Sequence, residues 1–255
     1  MRKGSSDEVR LDTSETSMTS ASGKTEDCSS LWHVHRRPVS LPRAAGSEST
    51  DLQIAFRQND QKEQLPAFAW LPLRSYGFRF IVQADWEVSS SREAILAERS
   101  RNQCLRSSLP EIFCELVEEL AAKALTISEE SQRDSAFRTL YNLIPLRNET
   151  VEFFADSSRS ILEGLKSRQF ILVRGRSSHM CVTPAEVVRK ELDGGIEAVL
   201  KSEIKDLIEP ILNSRKMFFE TGLLSSALAK DLEIPNLDKS IASKTLEALS
   251  SEKCQ

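Results

Sequence analysis

The chain has 255 residues, of which 40% are hydrophobic and 28% charged, and its formal net charge is −4. This length can bury a sizeable core in one large domain or two small ones. The weakly acidic balance gives no reason to expect nucleic acid as a partner. No apolar run approaches the roughly 18 residues of a membrane-spanning helix, so no membrane partner is expected either.

Residues 1–30 are rich in serine and threonine, carry charges of both signs, and contain few apolar residues without a clear period. This composition is typical of a disordered tail or linker, and we predict no regular structure there.

The five cysteines are scattered and odd in number, and they contain no CxxC pair. This pattern favours reduced thiols and an intracellular protein, in the nucleus or the cytoplasm. The three histidines show no metal-ligand spacing, so no metal site is predicted.

Residues 31–126 predict an α+β domain that begins with a series of strands. Leu52, Ile54 and Phe56 alternate with more polar residues, and Phe78, Phe80 and Val82 do the same. This period of two is the signature of strands with one buried face. Because the connections are short, we expect a small mixed, mainly antiparallel sheet packed with helices.

A helical pattern follows the strands, with apolar residues at steps of three and four from Leu105 to Leu120. Pro110 is tolerated in a first turn but not in a helix interior, and Ser108 with Glu111 forms a capping box. We therefore predict a break near Ser107 and a new helix from Leu109 to about Leu125, packed on the sheet.

Residues 127–255 predict a smaller helix-rich subdomain, truncated at its C-terminal end. It should contain one β-hairpin at about residues 170–183, where two apolar runs flank a turn that contains Gly175. Gly194 and Gly195 predict a break, with further helical segments as far as Leu232.

Arg92 lies in the one segment that suggests chemistry. Ser90 and Glu93 form a capping box, which predicts a helix beginning at Ser91 or Arg92. The free N–H groups and positive dipole of that first turn would attract a phosphate, and a guanidinium beside them would act as an anion clamp. The alternative is that Arg92 is merely exposed, or pairs with Asp85 or Glu98.

Three blocks of this segment carry a family resemblance: LPLRSYG at residues 71–77, FIVQAD at 80–85 and SSRE at 90–93. They resemble the signature of No Vein/sacsin-type proteins, large proteins with an ATPase domain of the GHKL superfamily (gyrase, heat-shock chaperone, histidine kinase, MutL). The resemblance extends over roughly residues 31–234 and is diffuse after the first block. One departure is Ser89, where the family usually has proline.

The resemblance implies a fold like the middle domain of the large heat-shock chaperones. It also implies that Arg92 serves as a phosphate sensor, with Ser91 as a weaker candidate for cofactor binding. ATP and magnesium are implied for a GHKL nucleotide-binding domain upstream or on another chain, which would be the main partner, and a protein client would be a further partner. The chain would then be a fragment of a longer protein.

The nucleotide-binding motifs of a GHKL ATPase do not occur in these residues, since there is no Asp-x-Gly-x-Gly and no second Gly-rich lid. The P-loop motif GxxxxGK[ST] of other nucleotide-binding proteins is absent as well. We therefore expect no cofactor and no activity from this chain alone. Two function classes stay open. The first is a transducer segment that presents Arg92 to ATP bound elsewhere. The second is a non-catalytic interaction scaffold that keeps the fold without the ATP chemistry.

Overall fold

The computed structural model describes residues 5–12, 29–41, 48–57, 63–175, 178–189, 212 and 216–236. The chain divides into two compact units, Met1–Leu116 with Asn142–Ile161, and Val117–Tyr141 with Leu162–Gln255. The sequence predicts a tail at residues 1–30 and a boundary between two folded parts at residues 126 and 127. The observed division instead falls within a long helix and returns a later segment to the first unit.

The first unit contains a six-stranded sheet. Its strands are β1 (Ser5–Asp12), β2 (Ser29–Leu41), β3 (Glu48–Arg57), β4 (Pro66–Ala69), β5 (Leu71–Ser75) and β6 (Ile81–Gln83). Their order is β1-β2-β3-β6-β4-β5, and every neighbouring pair is antiparallel except β4 and β6. The prediction of an α+β fold with a mixed, mainly antiparallel sheet is confirmed.

Alternating side chains of the central strands form the buried face of this sheet. Leu52 and Ile54 are 0% exposed and Phe56 is 3% exposed, in agreement with the period of two in the sequence. The rings of Phe78 and Phe80 are also buried, although they precede the short strand β6. Burial of these apolar side chains is the main favourable term in the stability of the unit.

The first strand differs from the sequence prediction. Strand β1 lies within residues 1–30, for which we predict no regular structure, and the rest of that segment lies largely outside the described residues. Strand β1 pairs along its whole length with β2, from Ser5 opposite Arg36 to Asp12 opposite Ser29. Backbone pairing with a longer strand supplies the order that the polar sequence does not indicate.

Helix α1 (Ser100–Leu125) continues through Pro110, so the predicted break near Ser107 is wrong. The hydroxyl of Ser108 donates to the carbonyl of Cys104 at 3.0 Å instead of capping a new helix. Leu105 and Leu109, on either side of the break site, are both 0% exposed. Burial of this continuous apolar stripe outweighs the roughly 3 kcal/mol that an interior proline costs a helix. The predicted packing of the stripe on the sheet is correct, because Phe113 stacks on Phe80 with ring centroids 4.8 Å apart.

The remaining helices are α2 (Glu130–Leu143), α3 (Ser157–Leu165) and α4 (Ser226–Asp231). The remaining strands are β7 (Ile171–Arg174), β8 (His179–Val182), β9 (Val187–Val188) and β10 (Phe218–Phe219). Short 3₁₀ turns lie at Glu152–Phe154 and Pro184–Glu186. Strands β7 and β8 are antiparallel and form the predicted hairpin. The predicted break at Gly194 and Gly195 lies outside the described residues. No helix in the described ranges combines the length and the apolar character that crossing a bilayer requires.

A buried tyrosine joins α2 to the hairpin in the second unit. The Tyr141 hydroxyl donates to the carbonyl of Phe170 at 3.3 Å and accepts from the backbone N–H of Leu172 at 2.9 Å. Burial raises the pKa of Tyr141 far above its ordinary value, because the charged phenolate would lose its solvation in the interior.

Candidate functional site

The segment around Arg92 is a closed loop rather than the start of a helix. Val88 and Ile95 form an antiparallel bridge, and the backbone N–H of Ser89 donates to the carbonyl of Ala94 at 3.0 Å. The next helix begins only at Ser100. The predicted helix start at Ser91 or Arg92 is therefore wrong, because backbone pairing across the loop replaces the local capping box.

A buried asparagine closes the base of this loop. The side-chain amide of Asn102, which is 0% exposed, donates to the carbonyls of Glu87 and Leu96 at 2.7 and 2.8 Å. Its carbonyl oxygen accepts from the backbone N–H of Glu87 at 2.9 Å. These three bonds tie both ends of the loop to the first turn of α1, so the loop has a defined position although its tip is exposed.

Arg92 lies at the exposed tip of the loop with φ +59°, in the left-handed region that non-glycine residues rarely adopt. Its Nη2 donates to the backbone carbonyl of Ala69 at 2.8 Å. This bond orients the guanidinium toward the end of β4. Ser91 is also exposed, and its hydroxyl is 3.1 Å from that of Ser89.

Trp70, between β4 and β5, lies next to this arginine and is 75% exposed. Two hydrogen bonds hold it in place: its backbone N–H donates to Gln83 Oε1 at 3.0 Å, and its indole N–H donates to Asp85 Oδ1 at 2.7 Å. Its φ is +64°. An exposed tryptophan with a fixed side chain gives up little conformational entropy on binding, which favours a role in recognition.

Asp85 connects this tryptophan to the rest of the sheet. Its Oδ2 accepts from the Thr50 hydroxyl at 2.8 Å and from Arg101 Nη2 at 3.3 Å. Arg101 also donates from Nε to the backbone carbonyl of Asp85 at 3.0 Å and lies 3.4 Å from the carboxylate of Glu48. The carboxylate of Asp85 is thus paired with a guanidinium and accepts three hydrogen bonds within the site.

Trp70, Asp85, Trp86, Glu87, Arg92 and Arg101 contribute to the lining of an open cavity of about 350 Å³. Both carboxylates in its wall have a basic partner, since Asp85 pairs with Arg101 and Glu87 pairs with Arg99 at 3.2 Å. Arg92 forms no ion pair with any carboxylate in the part of the chain that the structure describes. The site therefore has one cationic group available for an external anion.

The sequence identified Arg92 and Ser91 as site residues but gave no role to Trp70, Arg101 or Asn102. It offered Asp85 as a possible partner of Arg92, whereas the structure pairs Asp85 with Arg101. Asn102 could have been found, because it is a polar residue on the apolar stripe of α1. Trp70 and Arg101 have no sequence signal, since their roles depend on the spatial approach of β4, β6 and α1. Arg74 does not line the cavity and forms an exposed ion pair with Glu152 at 2.9 Å.

These observations define an α+β protein with an arginine and a fixed, exposed tryptophan at one edge of a mixed sheet. No protein-family model matches the chain, and no solved structure matches it. The chain is 34% identical over 126 residues to Protein NO VEIN of Arabidopsis thaliana. Over the matched residues the chain is therefore No Vein-like in sequence. The match covers 49% of this chain and only 4% of the length of that protein.

Proposed function

We propose that this chain is a segment of a No Vein-like protein that presents Arg92 to the terminal phosphate of ATP bound by a separate GHKL domain. In this proposal the chain has no activity of its own. ATP and magnesium belong to the partner domain, and the chain contributes one guanidinium when the two dock. The other side chains of the site position that group or bind the partner.

The observation that supports the proposal best is the charge balance of the cavity. Asp85 and Glu87 are paired with arginines, whereas the guanidinium of Arg92 makes one described hydrogen bond, to the carbonyl of Ala69. A guanidinium carries five donors, so most of them are available to phosphate oxygens. Because the bond to Ala69 already fixes the direction of the side chain, less entropy is lost when an anion binds.

Backbone strain at the same place is a second support. Arg92 and Trp70 both have a positive φ, at +59° and +64°. Such conformations cost of order 1–3 kcal/mol each and cluster at functional sites. The helix dipole, by contrast, makes no contribution to this proposal, because no helix begins at Arg92.

The alternative is an interaction scaffold without ATP chemistry, and the exposure of two apolar residues favours it. Trp70 is 75% and Leu71 56% exposed, side by side at the turn between β4 and β5. Exposed tryptophan anchors are enriched among residues that dominate the energy of protein interfaces. In the scaffold, Arg92 would contact a partner carboxylate, and nucleotide would have no effect.

The test is ATP turnover by the chain together with a GHKL nucleotide-binding domain, comparing Arg92→Ala and Arg92→Lys with the wild-type chain. We expect Arg92→Ala to lower turnover by roughly tenfold to a thousandfold, the range for loss of one preorganised donor. Lysine should restore little of it, because it cannot meet two oxygens with a planar fork. Arg74→Ala is the matched control and should leave turnover unchanged. Normal turnover in Arg92→Ala would exclude the proposal and leave the scaffold.

A further inference from the structure

A second arginine, Arg133 in α2, is buried without an anionic partner. The residue is 7% exposed, and its Nε has no hydrogen-bond partner. Its Nη1 is 3.5 Å from the carbonyl oxygen of Ile127, and its Nη2 is 3.5 Å from Nε2 of His179. Both distances are at the limit of a hydrogen bond. No carboxylate pairs with Arg133 among the residues that the structure describes.

A buried guanidinium in this state is unfavourable, since a charge that leaves water must recover its solvation from paired and hydrogen-bonded groups. Another arginine of the second unit shows the ordinary solution. Arg168 lies 2.8 Å from the carboxylate of Glu118. Arg133 lacks such a partner, which indicates that an external anion completes its surroundings.

The groups near Arg133 favour an anion with more than one negative charge. His179 on β8 lies directly opposite Arg174 on β7, so both basic side chains belong to the turn end of the same hairpin. Arg133 is the fourth residue of the 14-residue helix α2, and its backbone N–H donates to the carbonyl of Glu129 at 3.0 Å. The N–H groups that precede it in the first turn have no intrahelical acceptor, and the helix dipole is positive at this end.

The acidic groups near this end of the hairpin are weakly engaged. Glu130 Oε1 lies 3.7 Å from Arg174 Nη2, and the two side chains are 64% and 68% exposed. An ion pair of this kind contributes little and is readily displaced. The remaining acidic neighbours along the chain are Glu129, which accepts from the Ser131 hydroxyl, and Asp134, next to Arg133 in sequence.

We propose that Arg133, His179 and Arg174 form a phosphate-binding site at the N-terminus of α2. The site is separate from the Arg92 site, and it does not depend on the function proposed above. Its ligand is a phosphate dianion, either free or as a phosphate monoester. A phosphate oxygen would accept from the guanidinium of Arg133. Arg174 would leave its ion pair with Glu130 and pair with the phosphate.

The experiment is a titration of the full chain with inorganic phosphate, followed by isothermal calorimetry and by the thermal unfolding temperature, with acetate at equal ionic strength as reference. We expect saturable binding of phosphate and a rise in the unfolding temperature that acetate does not produce. Parallel titration with N-acetyl-O-phosphoserine amide distinguishes the sources. Tighter binding of this monoester assigns the site to a phosphorylated chain, and tighter binding of inorganic phosphate assigns it to the free ion.

Arg133→Met should abolish the phosphate effect while leaving the chain without phosphate at least as stable, because an unpaired buried charge is removed. Arg174→Gln changes an exposed residue and cannot disrupt folding, so it tests the site even if Arg133→Met fails to fold. We expect it to weaken phosphate binding by about 10-fold. Arg168→Met is the matched control and should bind phosphate as the wild-type chain does. Absence of phosphate binding, equal effects of acetate and phosphate, or unchanged binding in Arg174→Gln would overturn the proposal.

Discussion

Removal of the Asp85 carboxylate tests whether Trp70 is held in a fixed position. The carboxylate accepts two short hydrogen bonds, from the Trp70 indole at 2.7 Å and from the Thr50 hydroxyl at 2.8 Å. Hydrogen bonds to charged groups contribute about 1.5–3 kcal/mol each when they are shielded from water. The side chain of Asp85 is 41% exposed, so solvent reduces this contribution. We expect Asp85→Ala to lower the free energy of unfolding by about 1–2 kcal/mol in total.

Urea unfolding measures this loss, and NMR shows its origin. The chain has three tryptophans, so three indole N–H resonances are expected, and Trp70→Phe identifies the one from Trp70. Asp85→Ala should shift that resonance and speed its exchange with solvent, while the resonances of Trp32 and Trp86 change little. Asp85→Asn keeps an acceptor and should show a smaller effect. An unchanged Trp70 resonance in Asp85→Ala would refute the reasoning, because the indole would not depend on the carboxylate.

Three further predictions concern the backbone and a thiol. Gly77→Ala should destabilise the first unit by more than about 3 kcal/mol in urea unfolding. A Cβ at this position, where φ is +97°, would lie 2.1 Å from the carbonyl oxygen of Glu149. A loss below about 1 kcal/mol would contradict this close packing. Trp70→Gly should be more stable than Trp70→Ala by about 1 kcal/mol, since φ there is +64°; equal unfolding midpoints would argue against the left-handed conformation. Burial raises the pKa of Cys181 from 9.0 to about 12. Its alkylation rate, followed by peptide mass spectrometry, should therefore keep rising with pH beyond 9 in the folded chain but level off near 9 in urea. Because folding raises the pKa of Cys181, the neutral thiol makes its full contribution to the stability of the fold below pH 9. This contribution is lost as the pH rises toward 12.

The sheet could be predicted where a strand's own side chains carry the pattern. Leu52, Ile54 and Phe56 alternate with more polar residues because one face of β3 is buried, and that periodicity is visible without knowledge of the partners. The same holds for the hairpin of β7 and β8. Strand β1 has no such signal, because its structure comes from backbone pairing with β2, and backbone hydrogen bonds leave no mark on the sequence.

The candidate site was predicted only in part, and the reason is the difference between local and long-range interactions. A capping box is a local signal, and at Ser90 and Glu93 it competes with the bridge between Val88 and Ile95 and with the side chain of Asn102. The long-range contacts determine the structure, so Arg92 lies in a loop. Pro110 shows the same effect in α1, where burial on both sides of the proline maintains the helix.

The affinity of the chain for a GHKL nucleotide-binding domain, measured with a non-hydrolysable ATP analogue and with ADP, tests the central proposal most directly. If Arg92 contacts the terminal phosphate, the wild-type chain should bind the ATP-analogue complex about 10- to 100-fold more tightly than the ADP complex, the value of a charge-assisted contact. Arg92→Ala should abolish this difference, whereas Trp70→Ala should weaken both complexes alike. Equal affinities of the wild-type chain for the two complexes, or a difference that persists in Arg92→Ala, would contradict the proposal.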